Sequence, residues 1–526
     1  MSIVLESTQQ ASQSLVPIDG LPDDVLCSIF LWNTTRNTRA DILDVRKTLI
    51  STCLVCKRWQ ALIYHYPLLW SRVIDYERDT PMCINELLHR SGSTDIEVEA
   101  KFFHGRNNIR VEVFRSVLEV LSIVFKHSSR IVRLDLDINC ILWKQIYPFL
   151  DQPAPRLQFL KINNSDPSVV CCMPTPLFAN QAPFLAQLDM NRCFIDISSG
   201  SLYNLTELCI VDISVAPTVL DWMQVLQNMP KLRYLSLVNA FSHEICPGFT
   251  TRASLLNLLL LSVVSFFDQS SILLGHLDIP SSCGLRLICS KATQVSSPSN
   301  LLACLRRQLS HWPTESKGQF LRAGWLNGRV HFTNSLRHAG FARNIVEKEE
   351  LKNHSLTCGG PLIWLMLHFD DNNFACRTFC QLLTLHQVTF STTTQFEWIS
   401  DSVSSDVMQV IGTLVNFNQF IALDTLTLTL PPLLRFLPHF RVGVLPSLRS
   451  LRLFGSSFEY HVVHSAVLAY LRQRIEVQAP MLELWIIDGV ISSSKKEALE
   501  QLGNVKVLMA RWDLDSQRVV PEEGDH

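Results

Sequence analysis

Residues 21–30 read Leu-Pro-Asp-Asp-Val-Leu-Cys-Ser-Ile-Phe, residues 55–59 read Val-Cys-Lys-Arg-Trp, and residues 66–70 close the stretch as Tyr-Pro-Leu-Leu-Trp. Pro22 suits the first position of a helix, where its missing N–H costs nothing, and Asp23 and Asp24 complement the positive end of the helix dipole. Val25, Leu26, Ile29 and Phe30 follow as a broad apolar stripe. A second helix is expected from about Val45 to Val55, with Leu49, Ile50, Cys53 and Leu54 apolar. A third is expected from Lys57 to His65, carrying Trp59, Leu62 and Ile63 until Pro67 stops it. Each helix is apolar on more than one side, and so small a unit cannot bury every such residue against itself. The surplus meets either the rest of the chain, as in an ordinary helical subdomain, or a second protein.

The wording of the stretch separates these readings. Leu21-Pro22, Val25-Leu26, Ile29-Phe30, Val55-Cys56-Lys57-Arg58-Trp59, Pro67 and Leu69-Trp70 stand in the order of the F-box pattern. The segment resembles the F-box, the three-helix module that docks on the Skp-family adaptor of cullin ubiquitin ligases. That resemblance implies adaptor contacts at Leu21, Pro22, Val25, Leu26, Ile29, Phe30, Leu54 and Trp59, with Trp59 and Trp70 serving packing more than contact. One departure is plain: the link from Trp32 to Asp44 is longer and more polar than in the compact family form. Similar lengthened versions occur in F-box-like proteins of mushroom-forming fungi, which the chain also resembles in layout.

Composition bounds the remainder. The 526 residues are 47% hydrophobic and 18% charged, enough for a large core in two or three domains or a repeat array. A net charge of -2 gives no basic field for nucleic acid or an anionic membrane surface. Sixteen cysteines without a secretory leader point to free thiols in a reducing compartment, cytoplasmic or nuclear. Met1 to Val16 reads as a flexible tail. The longest apolar run, Ala253 to Phe267, is too short and too polar for a membrane span and is expected to be a buried strand with a short connector. The Asn-x-Ser/Thr triplets at Asn33, Asn163, Asn204 and Asn353 carry no weight without secretion.

Beyond residue 130 one phrase recurs: apolar, two others, apolar, one other, apolar. It appears as Ile131-Leu134-Leu136, Leu157-Leu160-Ile162, Leu185-Leu188-Met190, Leu205-Leu208-Ile210, Leu232-Leu235-Leu237 and Leu255-Leu258-Leu260. It returns as Leu423-Leu426-Leu428, Leu448-Leu451-Leu453, Leu482-Trp485-Ile487 and, degenerately, Val505-Leu508-Ala510. The spacing lies in the leucine-rich-repeat range. Residues two apart on a strand share a face, so the second and third apolar positions enter one core. Pro155, Pro183, Pro230, Pro446 and Pro480 each stand two residues before the opening position, where they end a helix and favour extended structure. The alternative is a leucine-rich α/β domain without a true repeat. Helices are expected at Val219 to Met229, Asn300 to Ser310, His464 to Arg474 and Lys495 to Leu502, the last with a Ser494/Glu497 capping box. Register fades across 290–420, where the helix at Asn300 to Ser310 and a strand at Leu362 to Phe369 are legible.

Chemical motifs are sparse. The Cys53-x-x-Cys56 pair has no second Cys/His pair, and helix packing accounts for it better than zinc or redox chemistry. Cys171-Cys172 is equally alone. His368 with Asp370 begins an iron-site pattern that no distant histidine completes, and His461 and His464 read as surface or capping residues. No phosphate loop, nucleophile elbow or kinase signature appears, so no catalytic residue, metal or cofactor is expected. A hydrolase or oxygenase hidden in 290–420 is the weakest alternative. Strand residues between the inward leucines are better candidates for binding a target: Arg133, Asp135, Asp137, Lys161, Asn163, Gln187, Asp189, Asn191, Glu207 and Tyr234, then Ser450, Arg452 and Phe454. Their acidic excess suits a basic or mixed-charge peptide.

The expected α/β architecture is thus a flexible tail (1–16), a three-helix F-box-like module (17–75), a helical connector (76–130), an irregular leucine-rich-repeat solenoid (131–515) with parallel strands on one side and helices on the other, and a polar tail (516–526). By resemblance the chain is expected to be a non-catalytic substrate-recognition subunit of a Skp–cullin–F-box ubiquitin ligase, binding the Skp-family adaptor, through it a cullin, and an unknown target. The alternative is a repeat scaffold without ubiquitin transfer.

Overall fold

The computed structural model describes residues 18–34, 42–101, 111–166, 171–213, 215–244, 250–292, 298–310, 319–326, 329–333, 363–369, 393–400, 420–429, 445–455, 458–479, 481–503, 505–513 and 518–521. The chain divides into two compact units, Met1–Leu185 and Ala186–His526. The first unit therefore joins the helical module to the opening strands, a boundary that the leucine phrase does not mark.

The first unit starts with α1 (Asp23–Asn33), α2 (Ile42–Cys53) and α3 (Lys57–Tyr64). Pro22 is the N-cap residue of α1, one place before the helical position expected of it. α2 begins three residues earlier than expected and ends at Cys53, so Leu54 and Val55 lie in the turn between helices. Cys56 is not in a helix either: it caps α3, its sulfur accepting the Trp59 N–H at 3.4 Å. Pro67 and Pro81 open α4 (Pro67–Ser71) and α5 (Pro81–Arg90), where proline loses no hydrogen bond. The connector is not purely helical. Before α6 (Val111–Phe125) it contains β1 (Ile96–Lys101), which pairs in parallel with β2 (Ile131–Ile138). After α7 (Cys140–Leu150), β3 (Phe159–Asn164) continues the sheet beyond β2. Buried Arg130 ties the α5 exit to the entry of β2, donating to Ser91 Oγ and the Thr94 carbonyl, both at 2.7 Å.

In the second unit, β4 (Gln187–Asn191), β5 (Glu207–Val211), β6 (Tyr234–Val238), β7 (Leu260–Phe266) and β8 (Gly284–Ala292) form consecutive parallel pairs. Helices α8 (Val219–Leu226), α9 (Phe267–His276) and α10 (Ser299–Ser310) lie between or after them. β9 (Gln319–Leu326), β10 (Arg329–Thr333), β11 (Ile363–Phe369) and β12 (Thr393–Ser400) then break the simple order. β11 pairs with β8, β10 lies antiparallel between β11 and β9, and β9 pairs with β12. The spatial order β8–β11–β10–β9–β12 explains why a one-strand-per-copy phrase fades across this region. Parallel pairing resumes through β13 (Thr425–Thr429), β14 (Ser450–Phe454), β15 (Glu483–Ile487) and β16 (Lys506–Asp513). α11 (His461–Glu476) and α12 (Ser493–Gly503) follow β14 and β15; α12 starts before Ser494, which therefore lies inside the first turn and not at its cap. The expected C-terminal tail contributes β17 (Arg518–Pro521), antiparallel to β16.

The phrase maps onto buried strand positions with three changes of register. Leu261 and Val263 of β7 pair with Leu235 and Leu237, so the sixth copy is Leu258-Leu261-Val263, three residues after the expected one. Leu484 and Ile486 pair with Leu451 and Leu453, which makes the later copy Met481-Leu484-Ile486 and turns Trp485 to the other face. Val507, not Leu508, then pairs with Leu484. A one-residue slip exchanges the two faces of a strand, so burial decides the matter: Met481, Leu484 and Ile486 are buried, whereas Leu482 is 52% exposed.

A turn opens these strands. The N–H of Leu157, Leu185, Leu205, Leu232, Leu258, Leu423 and Leu448 each donates to the carbonyl three residues earlier. Pro155, Pro183, Pro230 and Pro446 occupy the second position of their turns, which a fixed negative φ favours; Pro480 lies outside the described residues. A left-handed residue closes several strands. Arg192, Asp212, Asn239, Gly455 and Asp488 have φ of 55°, 53°, 48°, 60° and 50°, and each N–H donates to the neighbouring strand at 2.8–2.9 Å.

Candidate functional site

Leu26 and Phe30 point into the module: Leu26 is 0% and Phe30 2% exposed, and the Phe30 ring meets Trp59 edge-to-face at 5.2 Å. These two residues, for which the resemblance implies adaptor contacts, lie in the module's core. Trp59 is half-buried, its Nε1 buried and without a hydrogen-bond partner among the described residues. Trp70 is buried and its Nε1 donates to the Ile63 carbonyl at 3.0 Å, while the Arg90 guanidinium stacks over the Tyr64 and Trp70 rings.

Other apolar residues are left outside. Val25, Ile29 and Trp32 are 39%, 37% and 82% exposed at i, i+4 and i+7, one stripe along α1. Leu43, Ile50 and Leu54 repeat the pattern on α2 and its exit, with Val55 beside them. Leu21 is half-buried and Pro22 exposed at the head of α1. Arg58 joins the two regions: Nε donates to Asp23 Oδ1 at 3.0 Å and Nη2 to the Leu21 carbonyl at 2.6 Å. Trp32, Leu43, Ile50 and Val55 were not nominated from sequence. Seven-residue spacing, from Val25 to Trp32 and from Leu43 to Ile50, is the signal that finds two of them. Part of the lengthened link, residues 35–41, lies outside the described residues.

The outward strand positions differ from expectation. Asp135, Asp137, Glu207 and Ser450 are buried, and Arg133, Lys161, Asn163, Gln187, Asp189, Asn191, Tyr234, Arg452 and Phe454 are half-buried. Adjacent parallel strands set same-face side chains against one another, and these pair laterally. Arg133 stacks on Phe159 at 3.5 Å, Asn163 donates to Asp137 Oδ1 at 3.0 Å, and Arg452 lies over Trp485 at 5.6 Å. β1 also changes the charge balance, placing Glu97 beside Arg133, Glu99 beside Asp135 and Lys101 beside Asp137. In this three-strand row the acids Glu97, Glu99, Asp135 and Asp137 face the bases Lys101, Arg133 and Lys161, a nearly even mixture. Burial pushes the Asp135 carboxyl up, opposed by Lys161 and assisted by Glu99.

Among the described residues no group of three or more His, Cys, Asp or Glu gathers in position for a metal, and no helix is long and apolar enough to cross a membrane. Cys53 is half-buried and Cys56 exposed, both as free thiols, and Cys171 is buried beside exposed Cys172. His464 stands inside α11 with its pKa lowered by burial. Asp370 lies outside the described residues.

Residues 18–75 match the F-box-like family, across α1, α2, α3 and α4. No curated protein matches the chain.

Proposed function

We propose that the chain is a substrate receptor of a Skp–cullin–F-box ubiquitin ligase. F-box domains generally bind Skp-family adaptors. The observation that carries the reading is the division of labour on α1: Leu26 and Phe30 fill the module's own core while Val25, Ile29 and Trp32 stay in solvent. Leaving such a stripe open has a hydrophobic cost that an adaptor groove removes on docking. The strands beyond residue 130 form a leucine-rich-repeat solenoid in this reading and hold the target. Catalysis belongs to the recruited conjugating enzyme; this chain supplies proximity.

Affinity capture followed by mass spectrometry tests the proposal, using wild type and Val25→Asp/Leu54→Asp. Adaptor and cullin are expected with wild type and absent from the variant, while any target stays. Capture of both by the variant, or by neither chain, contradicts it.

A further inference from the structure

At the edge of the second unit where β5 to β8 begin, an open groove of about 550 Å³ crosses four successive strand-opening segments. Thr206, Lys231, Arg233, Leu256, Leu259 and Ser282 are among its lining residues, and no carboxylate is. The backbone there is already used: Arg233 N–H donates to the Thr206 carbonyl at 2.8 Å, and Leu259 N–H to the Arg233 carbonyl at 2.8 Å. The cationic heads are not. Lys231 Nζ meets only the neutral Asn204 Oδ1, at 2.9 Å, and the exposed Arg233 guanidinium makes no hydrogen bond or ion pair among the described residues. Beside these cations Leu256 is 67% exposed and Leu259 is also in solvent.

A second groove in this unit, about 340 Å³, makes the contrast. Its carboxylates are consumed locally: Asp221 closes the capping box with Thr218, and Asp196 accepts from the Ser198 N–H at 2.9 Å. Of these two grooves, the first keeps cationic groups that no acid among the described residues answers, next to the exposed Leu256. A guanidinium offers a planar fork to an oxyanion and a nearby ammonium adds a point charge, while the leucines favour an aliphatic neighbour.

We propose that this groove holds an extended segment of a partner protein carrying an anionic side chain next to an apolar one. The proposal rests on reading the chain as a target receptor and names the chemistry of that target. A carboxylate and a phosphoryl group share this chemistry.

Fluorescence anisotropy with the full chain distinguishes them. The probes are labelled octapeptides in which leucine alternates with glutamate, phosphoserine, serine or lysine. At least one anionic peptide is expected to bind about tenfold or more tightly than the serine peptide, with affinity falling as salt rises. Glutamate binding marks a carboxylate site; binding of phosphoserine alone marks a phosphorylated target. Lys231→Glu/Arg233→Glu is expected to abolish the preference. Equal binding of the serine or lysine peptide, or unchanged anionic binding by the double variant, overturns the proposal. Adaptor capture by the same variant is expected to be unchanged, so failure here and failure of the adaptor reading give different results.

Discussion

Arg58 Nε donates to Asp23 Oδ1 at 3.0 Å, fastening the start of α3 to the start of α1 across 35 residues of chain. Both side chains are largely in water, so the pair itself contributes little to stability. Its effect is to hold the Leu54–Val55 turn at the head of the α1 stripe. Arg58→Ala is expected to cost about 1 kcal/mol or less in denaturant unfolding and to weaken adaptor binding about threefold to tenfold. Unaltered affinity removes this positional role.

Neighbours on α1 should answer differently. Leu26→Ala deletes a fully buried side chain and is expected to cost about 2–5 kcal/mol. Val25→Ala is expected to change stability by no more than about 0.5 kcal/mol while reducing adaptor affinity. Urea unfolding and adaptor titration of each variant separate core from contact; equal stability losses would erase the distinction.

The three helices were legible because Pro22, Pro67 and the Leu-Pro and Cys-Lys-Arg-Trp groupings are local signals. Which apolar side chain faces inward was not, since Val25 and Leu26 are adjacent and chemically alike; only packing against Phe30 and Trp59 distinguishes them. Strand positions were readable where a turn proline pins the register, as at Pro155 and Pro230. Adjacent apolar residues defeated it at Leu258–Leu261 and at Met481–Leu482, where two registers satisfy one pattern. β1 was missed because Glu97, Glu99 and Lys101 give a half-polar alternation with no leucine. Asn327-Gly328, between β9 and β10, is a hairpin signal that a search for parallel copies passes over.

Register has its own test. Leu484→Ala is expected to cost about 2–5 kcal/mol, since the side chain is buried between Leu451 and Val507. Leu482→Ala, on exposed surface, is expected to stay within about 0.5 kcal/mol. Thermal melts that reverse this ranking restore the register that places Trp485 inside.

Asp135 sets a pH dependence. Burial raises its folded pKa above the ordinary value of 3.8. Its contribution to stability is therefore fully present below that value and is lost as pH rises through the folded pKa. Asp135→Asn keeps the shape and removes the charge. The variant is expected to be more stable than wild type at pH 7, with the difference shrinking toward pH 4 in denaturant series. A variant less stable at pH 7 would show that the carboxylate is favourably held there.

Calorimetric titration of the full chain with a purified Skp-family adaptor, comparing wild type with Ile29→Asp, addresses the docking stripe most directly. Ile29 is 37% exposed, and a thermal melt of the Ile29→Asp chain checks that it is folded. Saturable one-to-one binding by wild type and none by an equally folded Ile29→Asp chain is the expected result. Equal heats from both proteins would place the adaptor elsewhere, and no heat from either would remove it as a partner.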